Sequence, residues 1–238
     1  MRLRGRGTRA YSTRAICLGY SISAINATTM EILPLGHASF KLRGKQATVV
    51  TDPYDGTQMS VKFPKHVEAD IVTVSHDHYD HNAVSLVGGA PFIIRGPGEY
   101  EIKGVSIIGI ATYHDEEEGN ARGRNTIYRI EIDGVKIGHA GDLGHTLTSA
   151  QVDALDGVDV LLIPVEGVYT IDAAKAAQVI ADIEPRFVIP MHDARSNKEL
   201  ASVEVFLKVM NKGEIASQPK LVVNKDKLPG EMQIVVLE

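Results

Sequence analysis

The chain reads as a layered domain of mixed α and β elements, and three observations carry that reading. Apolar runs of four to seven residues recur, among them Ile71–Val74, Val105–Ile110, Val158–Pro164 and Phe187–Met191, each short enough for a buried strand. Strand-like runs also occur in close pairs joined by turn-forming residues. Helix signals appear between strands in the C-terminal half. Two architectures fit this alternation: an ordinary α/β sheet covered by helices, and a sandwich of two sheets between helical layers.

In chain order, Ile32–Leu42 and Gln46–Thr51 flank Arg43-Gly44-Lys45 and read as a hairpin. Ile71–Val74 is a buried strand, and Gly96-Pro97-Gly98 marks a turn before Val105–Ile110. Thr126–Ile132 and Val135–His139, joined by Asp133-Gly134, form a second expected hairpin. After the strand Val158–Pro164, Thr170 is placed to cap a helix with Ile171, Ala174, Ile180 and Ile183 sharing much of one face, ended by Pro185. A further helix is expected over Lys198–Met210, beyond the strand Phe187–Met191.

Composition bounds the setting. With 238 residues and 44% hydrophobic content the chain can bury a full core without disulfides. Its one cysteine, Cys17, supplies neither a disulfide framework nor a thiolate metal site, which favours a cytoplasmic protein. No apolar stretch is long enough for a membrane span. Residues 1–29 differ from the rest: five arginines and no acidic residue make this a basic extension, read as disordered or upstream of a natural start at Met30 in preference to a targeting segment. Residues 30–238 form one domain. Removing +5 from the total of −5 leaves it at −10, which disfavours nonspecific nucleic-acid binding.

The chemistry concentrates at strand ends. Ser75-His76-Asp77-His78-Tyr79-Asp80-His81 follows Ile71–Val74 directly and places four metal-capable side chains within six residues. A polar surface loop is the blander alternative. His76 and His78 project to one side of extended backbone, and a turn at Tyr79 lets Asp80 and His81 converge from another direction. His114, Asp142 and His192 each follow a further strand-like run. Sheets gather ligands outside strand ends, so these separate positions can meet in one cleft.

These residues resemble the metallo-β-lactamase superfamily, whose His-x-His-x-Asp-His signature stands here as His76, His78, Asp80 and His81. The likeness runs from about Met30 to the C-terminus. Leu35-Gly-His-Ala-Ser-Phe40, Thr51-Asp-Pro-Tyr54 and Gly141-Asp-Leu-Gly-His145 look like the lactonase-like branch, which includes ascorbate-6-phosphate lactonases. The resemblance selects the α+β fold, a four-layer αββα sandwich. It also implies two divalent metal ions, with His76, His78 and His114 holding one, Asp80, His81 and His192 the other, and Asp142 bridging. Zn2+ suits this thiol-free donor set best, while Mn2+ and Fe2+ tolerate it. His78, where di-iron oxygen-reducing relatives tend to carry Glu, leans away from redox chemistry.

The function so implied is a metal-dependent hydrolase in which metal-bound hydroxide, oriented by the catalytic Asp80, attacks a small ester, lactone or phosphate-containing substrate. Two other readings use the same ligands: a phosphodiesterase acting on nucleotide or nucleic acid, and a metal-stabilised binding or sensing domain without turnover. The expected partner is a small molecule, with no membrane, and oligomeric state is open.

Among the remaining polar residues, Asp52 is expected to hydrogen-bond a ligand histidine or form a turn. His139 reads as support for the ligands or as core, and His66 as exposed. His37 and His145 stand open between a site role and a structural one. Asp115–Glu118 reads as a solvated acidic loop, and Arg122, Arg124 and Asn125 as anion binders or solvent-facing residues. Glu166, where relatives often carry glycine, weighs against an anionic-substrate preference. The loops 54–65, 114–124 and 166–170 are expected to set specificity.

Overall fold

The computed structural model describes residues 29–238, so the basic extension, apart from Thr29, lies outside the described residues. Thirteen strands are described: β1 (Thr29–Gly36), β2 (Ser39–Arg43), β3 (Thr48–Thr51), β4 (Ile71–Val74), β5 (Phe92–Arg95), β6 (Gly98–Ile102), β7 (Val105–Tyr113), β8 (Arg124–Ile132), β9 (Val135–His139), β10 (Val160–Pro164), β11 (Phe187–Met191), β12 (Leu221–Asn224) and β13 (Gln233–Ile234). Three α-helices join them: α1 (Ser149–Ala154), α2 (Ala173–Ile183) and α3 (Val203–Val209). The strands form two sheets, ordered β12-β1-β2-β3-β4-β5 and β13-β11-β10-β9-β8-β7-β6.

The expected α+β sandwich is the observed architecture. Alternation along β1 turns Met30 and Ile32 inward, and alternation along β7 does the same for Val105 and Ile107; all four join the main core cluster. β4 and β10 are buried along their whole length because both faces of each are covered, which explains their uninterrupted apolar sequences. The helical layers are unequal. α2 packs on α3 and β10, whereas the outer side of the first sheet holds a small cluster of Val50, Val67, Val72, Val74 and Val87 under loops and short 3-10 turns.

Three expected elements differ in detail. The run Ile32–Leu42 is two antiparallel strands, because Gly36 (φ 106°) and His37 (φ 55°) reverse the chain inside an apolar stretch. α2 is capped by Asp172, whose carboxylate accepts from the Lys175 amide, and not by Thr170; its buried face is Ala173, Ala176, Val179 and Ile180, with Ala174 exposed. α3 starts at Val203 instead of Lys198, since residues 198–199 form a turn. The Asp133-Gly134 hairpin is as expected, both residues having positive φ, as a tight two-residue turn demands.

Strand direction positions the site. β3, β4 and β5 run parallel, as do β9, β10 and β11, so their C-terminal ends lie along one edge of each sheet. The sheets are tied there: the Tyr128 hydroxyl donates to the Val74 carbonyl (2.8 Å) and accepts from the Gly96 amide (2.9 Å), while the Thr126 amide donates to the Ser75 carbonyl (2.9 Å).

Candidate metal centre

At that edge the first sheet contributes His37 from the β1–β2 turn, Asp52 after β3, and the His76–His81 loop after β4. The second contributes His114 after β7, Asp142 beyond β9, and His192 after β11. Two donor groups result, besides the set Asp52, His76 and His81 that overlaps both. Ligand-type atoms of His76, His78 and His114 lie within 4.8 Å of one another, and so do those of His37, Asp80, His81 and His192.

Asp142 stands between them. Its Oδ1 is 3.2 Å from His81 Nε2, and its Oδ2 is 3.1 Å from His114 Nε2, 3.4 Å from His192 Nε2 and 3.8 Å from His76 Nε2. The carboxylate thus faces donors of both groups. All seven residues singled out in the sequence as ligands converge here. Gly141 makes the approach possible: its φ is 54°, and a Cβ there would sit 2.5 Å from Ser75 Cβ and Asn125 Oδ1. Asn125, buried, donates to Thr112 Oγ1 and the Ala140 carbonyl (both 2.9 Å) and accepts from the Asp142 amide (3.1 Å). It braces the ligand loop instead of binding an anion. His37, Asp52 and His192 all have positive φ, a strained conformation of the kind held at functional sites.

The donor atoms are positioned from behind. Asp52, fully buried, accepts from the Ser75 amide (2.8 Å), Ser75 Oγ (2.5 Å) and His81 Nδ1 (2.8 Å), which leaves His81 Nε2 facing Asp142. The expectation that Asp52 serves a ligand histidine therefore matches its contacts. His139 donates from Nε2 to the Ala38 carbonyl (2.7 Å) and supports the His37 turn. His145 donates from Nδ1 to the Thr146 carbonyl (2.7 Å) and accepts at Nε2 from the Tyr113 amide (3.1 Å), fixing the backbone beside His114. His66 is exposed.

The electrostatics differ from donor to donor. Burial, with repulsion from His192, pushes His37 down to about 3; burial and then repulsion from His81 push His76 down to about 3. Both therefore present neutral imidazoles. Against the desolvation that opposes ionisation, the charges of His192 and His81 hold Asp142 well below the ordinary carboxylate range. Desolvation likewise opposes charge on His81, yet Asp142 and Asp52 raise it well above its usual value.

A metal fits this set on the structure's own terms. His37 Nε2, His81 Nε2, His192 Nε2 and Asp142 Oδ1 are buried without a hydrogen-bond partner, an arrangement that costs about 1–3 kcal/mol per group unless something ligates them. His37, left open in the sequence between a site role and a structural one, joins the second donor group: its ring lies 3.9 Å from that of His192, and its Nε2 is 3.6 Å from Asp80 Oδ2. The signal was the Gly36-His37 reversal, hidden within an apolar run.

A cavity of about 680 Å³ reaches this cluster, with His78, Asp80, His114, Asp142 and His192 on its wall. Gln58, Arg122 and Tyr169 bring all three expected specificity loops to it. The acidic loop is more ordered than its composition implies. Asp115 is buried, and its carboxylate accepts from the amides of Glu117, Gly119, Ala121 and Arg122. Desolvation is outweighed by these donors, and the carboxyl falls to about 2. Glu166 is spent similarly on the amides of Val168, Tyr169 and Thr170, at 2.5–2.8 Å.

The family model described as Beta-lactamase superfamily domain matches residues 31–192. The chain belongs to this family. A UPF0173 metal-dependent hydrolase of Thermoplasma volcanium is 32% identical over 68% of this chain and 83% of its own length. One from Thermococcus onnurineus is 27% identical over 76% of this chain and 96% of its own. Among solved structures, a Thermotoga maritima protein assigned to the Zn-dependent hydrolases of the metallo-β-lactamase superfamily superposes with a TM-score of 0.71 at 37% identity, covering 87% of this chain and 98% of that one. The present chain is a metal-dependent hydrolase of that superfamily. No helix among the described residues is long and apolar enough to cross a membrane.

Proposed function

We propose that this hydrolase is dinuclear, binds Zn2+ in preference to Mn2+ or Fe2+, and cleaves a small ester, lactone or phosphate-containing substrate in the cytoplasm. The observation that carries the reading is the Asp142 carboxylate, within 3.1–3.4 Å of donors from both histidine groups. The partnerless Nε2 atoms of His37, His81 and His192 support an ion on one side of Asp142, and His76, His78 and His114, whose ligand-type atoms lie within 4.8 Å of one another, support an ion on the other. When bound, two cations acidify a shared water and polarise the bond under attack.

The chain's own residues supply the rest. His76, His78 and His114 would hold one ion and Asp80, His81 and His192 the other, with Asp142 placed to serve both. Asp80, half-buried at the cavity wall, is placed to accept a proton from the attacking water and keep its lone pair aimed at the substrate. Burial and backbone bracing hold this geometry before substrate arrives, so little reorganisation is left for the transition state.

Elemental analysis of purified protein tests the stoichiometry, with about two ions per chain expected. Asp142→Asn should reduce both occupancies, whereas His114→Ala should mainly empty the first position and His81→Ala the second. One ion per chain after reconstitution with excess Zn2+ would end the dinuclear reading. A screen of lactones, esters and phosphodiesters against native protein and Asp80→Asn then identifies the bond cleaved.

A further inference from the structure

A second cavity, about 750 Å³, is also lined by His76 and His78. It shares His78, Arg122 and Gly123 with the 680 Å³ cavity, so these three residues border both. Arg95, Arg122 and Arg124 line it. The sheet topology puts them there: Arg95 ends β5 opposite Val74, the last residue before the ligand loop, and Arg124 begins β8 opposite Tyr113, the residue before His114.

Three arginines lining one cleft, with Arg122 turned toward Val168 and Tyr169 at its border with the 680 Å³ cavity, stand out on a chain whose acidic residues outnumber its lysines and arginines, 30 to 25. Local carboxylates do not neutralise them. Asp77 is the one acidic residue lining the cleft; it is mostly exposed, lies 3.9 Å from Arg95 Nη1, and also accepts from Asn82 Nδ2. Arg122 is held in place by the Val168 carbonyl (3.2 Å) and the Tyr169 ring (5.6 Å), neither of which cancels its charge. Glu166, the nearby carboxylate that weighed against an anionic ligand, is occupied by three backbone amides.

We infer that this arginine-lined cleft is a subsite for a phosphoryl group carried by the substrate, held beside the bond that is cleaved. A planar carboxylate is satisfied by one guanidinium fork, whereas a phosphoryl group offers oxygens in three directions and can accept from more than one fork at once. Assigning the anion to the substrate rests on the hydrolase reading above; the anion site itself does not.

Inorganic phosphate titrated calorimetrically into the full-length protein with its metals is the test, with acetate as the two-oxygen comparison. Phosphate should bind more tightly than acetate, and Arg95→Gln/Arg124→Gln should weaken it at least tenfold at unchanged metal content and melting temperature. Both arginines are exposed, so the fold does not depend on them. For any phosphorylated substrate found, the same variant should raise KM at least tenfold with a much smaller change in kcat. Absence of phosphate binding to the native chain, equal binding of acetate, or native phosphate affinity in the double variant overturns the inference, the last placing phosphate on the metals alone. Arginine-dependent phosphate binding without hydrolysis of any substrate would sustain the anion site and remove the catalytic reading instead.

Discussion

Replacing Asp52 by Asn probes how the fold prepares a ligand without touching the cavity. Oδ1 accepts from the Ser75 amide, and Oδ2 accepts from both Ser75 Oγ and His81 Nδ1. An amide has one oxygen, so one side of the group must present N–H to these donors. If the oxygen stays on the Ser75 amide, the new NH2 faces His81 Nδ1, which must then accept. The imidazole proton moves to Nε2, the atom aimed at Asp142, and His81 can no longer ligate in that tautomer. If the amide flips, two N–H groups oppose each other in a fully buried place, at a cost of about 1–3 kcal/mol. Either route costs metal affinity, about 10–100-fold for loss of such a supporting group, concentrated in the Asp80–His81–His192 position. The pH profile provides a second readout. Asp52 is held below its ordinary value of 3.8: desolvation acts against this, and the neighbouring His139 and His81 overcome it. Its folded-state value is therefore depressed, so its contribution to stability is present above about pH 4 and fades as pH falls further. Urea unfolding of chelated protein should find Asp52→Asn less stable by about 2 kcal/mol at pH 7 and closer to native in acid. Competitive Zn2+ titration should find one position weakened and the other nearly unchanged. Native affinity at both positions, with unchanged neutral-pH stability, would refute the tautomer argument.

Other perturbations follow the same contacts. Asp80→Asn should keep the fold and most of the metal of the first position while lowering turnover by at least 100-fold, measured on whichever substrate the screen yields. His37→Ala should weaken the second ion by about tenfold through loss of a nearby donor and of packing on His192; an unchanged titration would show that His37 only packs. Chelation should lower the melting temperature by several degrees, since an ion present at a hundredfold excess over its Kd stabilises the fold by about 2.7 kcal/mol. Asp115→Ala should free the four amides it binds and speed hydrogen exchange over residues 115–122 without lowering the melting temperature by more than a few degrees.

The legible part of this chain was the part in which local pattern and final environment agree. β10 and β11 are apolar because both are buried in the parallel portion of a sheet, and β11 ends where His192 turns toward the cleft. Asp133-Gly134 names its own turn type. The metal-capable residues were readable because each lies in the segment just beyond a strand, so the question reduced to which strand ends share an edge. What stayed hidden depends on contacts between segments far apart in sequence. The hydroxyl of Tyr54, buried after β3, donates to the Leu35 carbonyl and packs against the reversal at Gly36 and His37, while His139 from the other sheet donates to Ala38. Those partners lie 19 and 101 residues away, and without them the alternation through Ile32–Leu42 favours one long strand. The carboxylates of Asp115 and Glu166 are misleading in the same way. Written as letters they signal solvent and repulsion; folded, each closes a loop by accepting several amides, and its charge no longer faces the cleft as a free anion. The charge that a ligand meets is therefore not the charge that the sequence totals, and in this acidic chain the wall beside His78 is arginine.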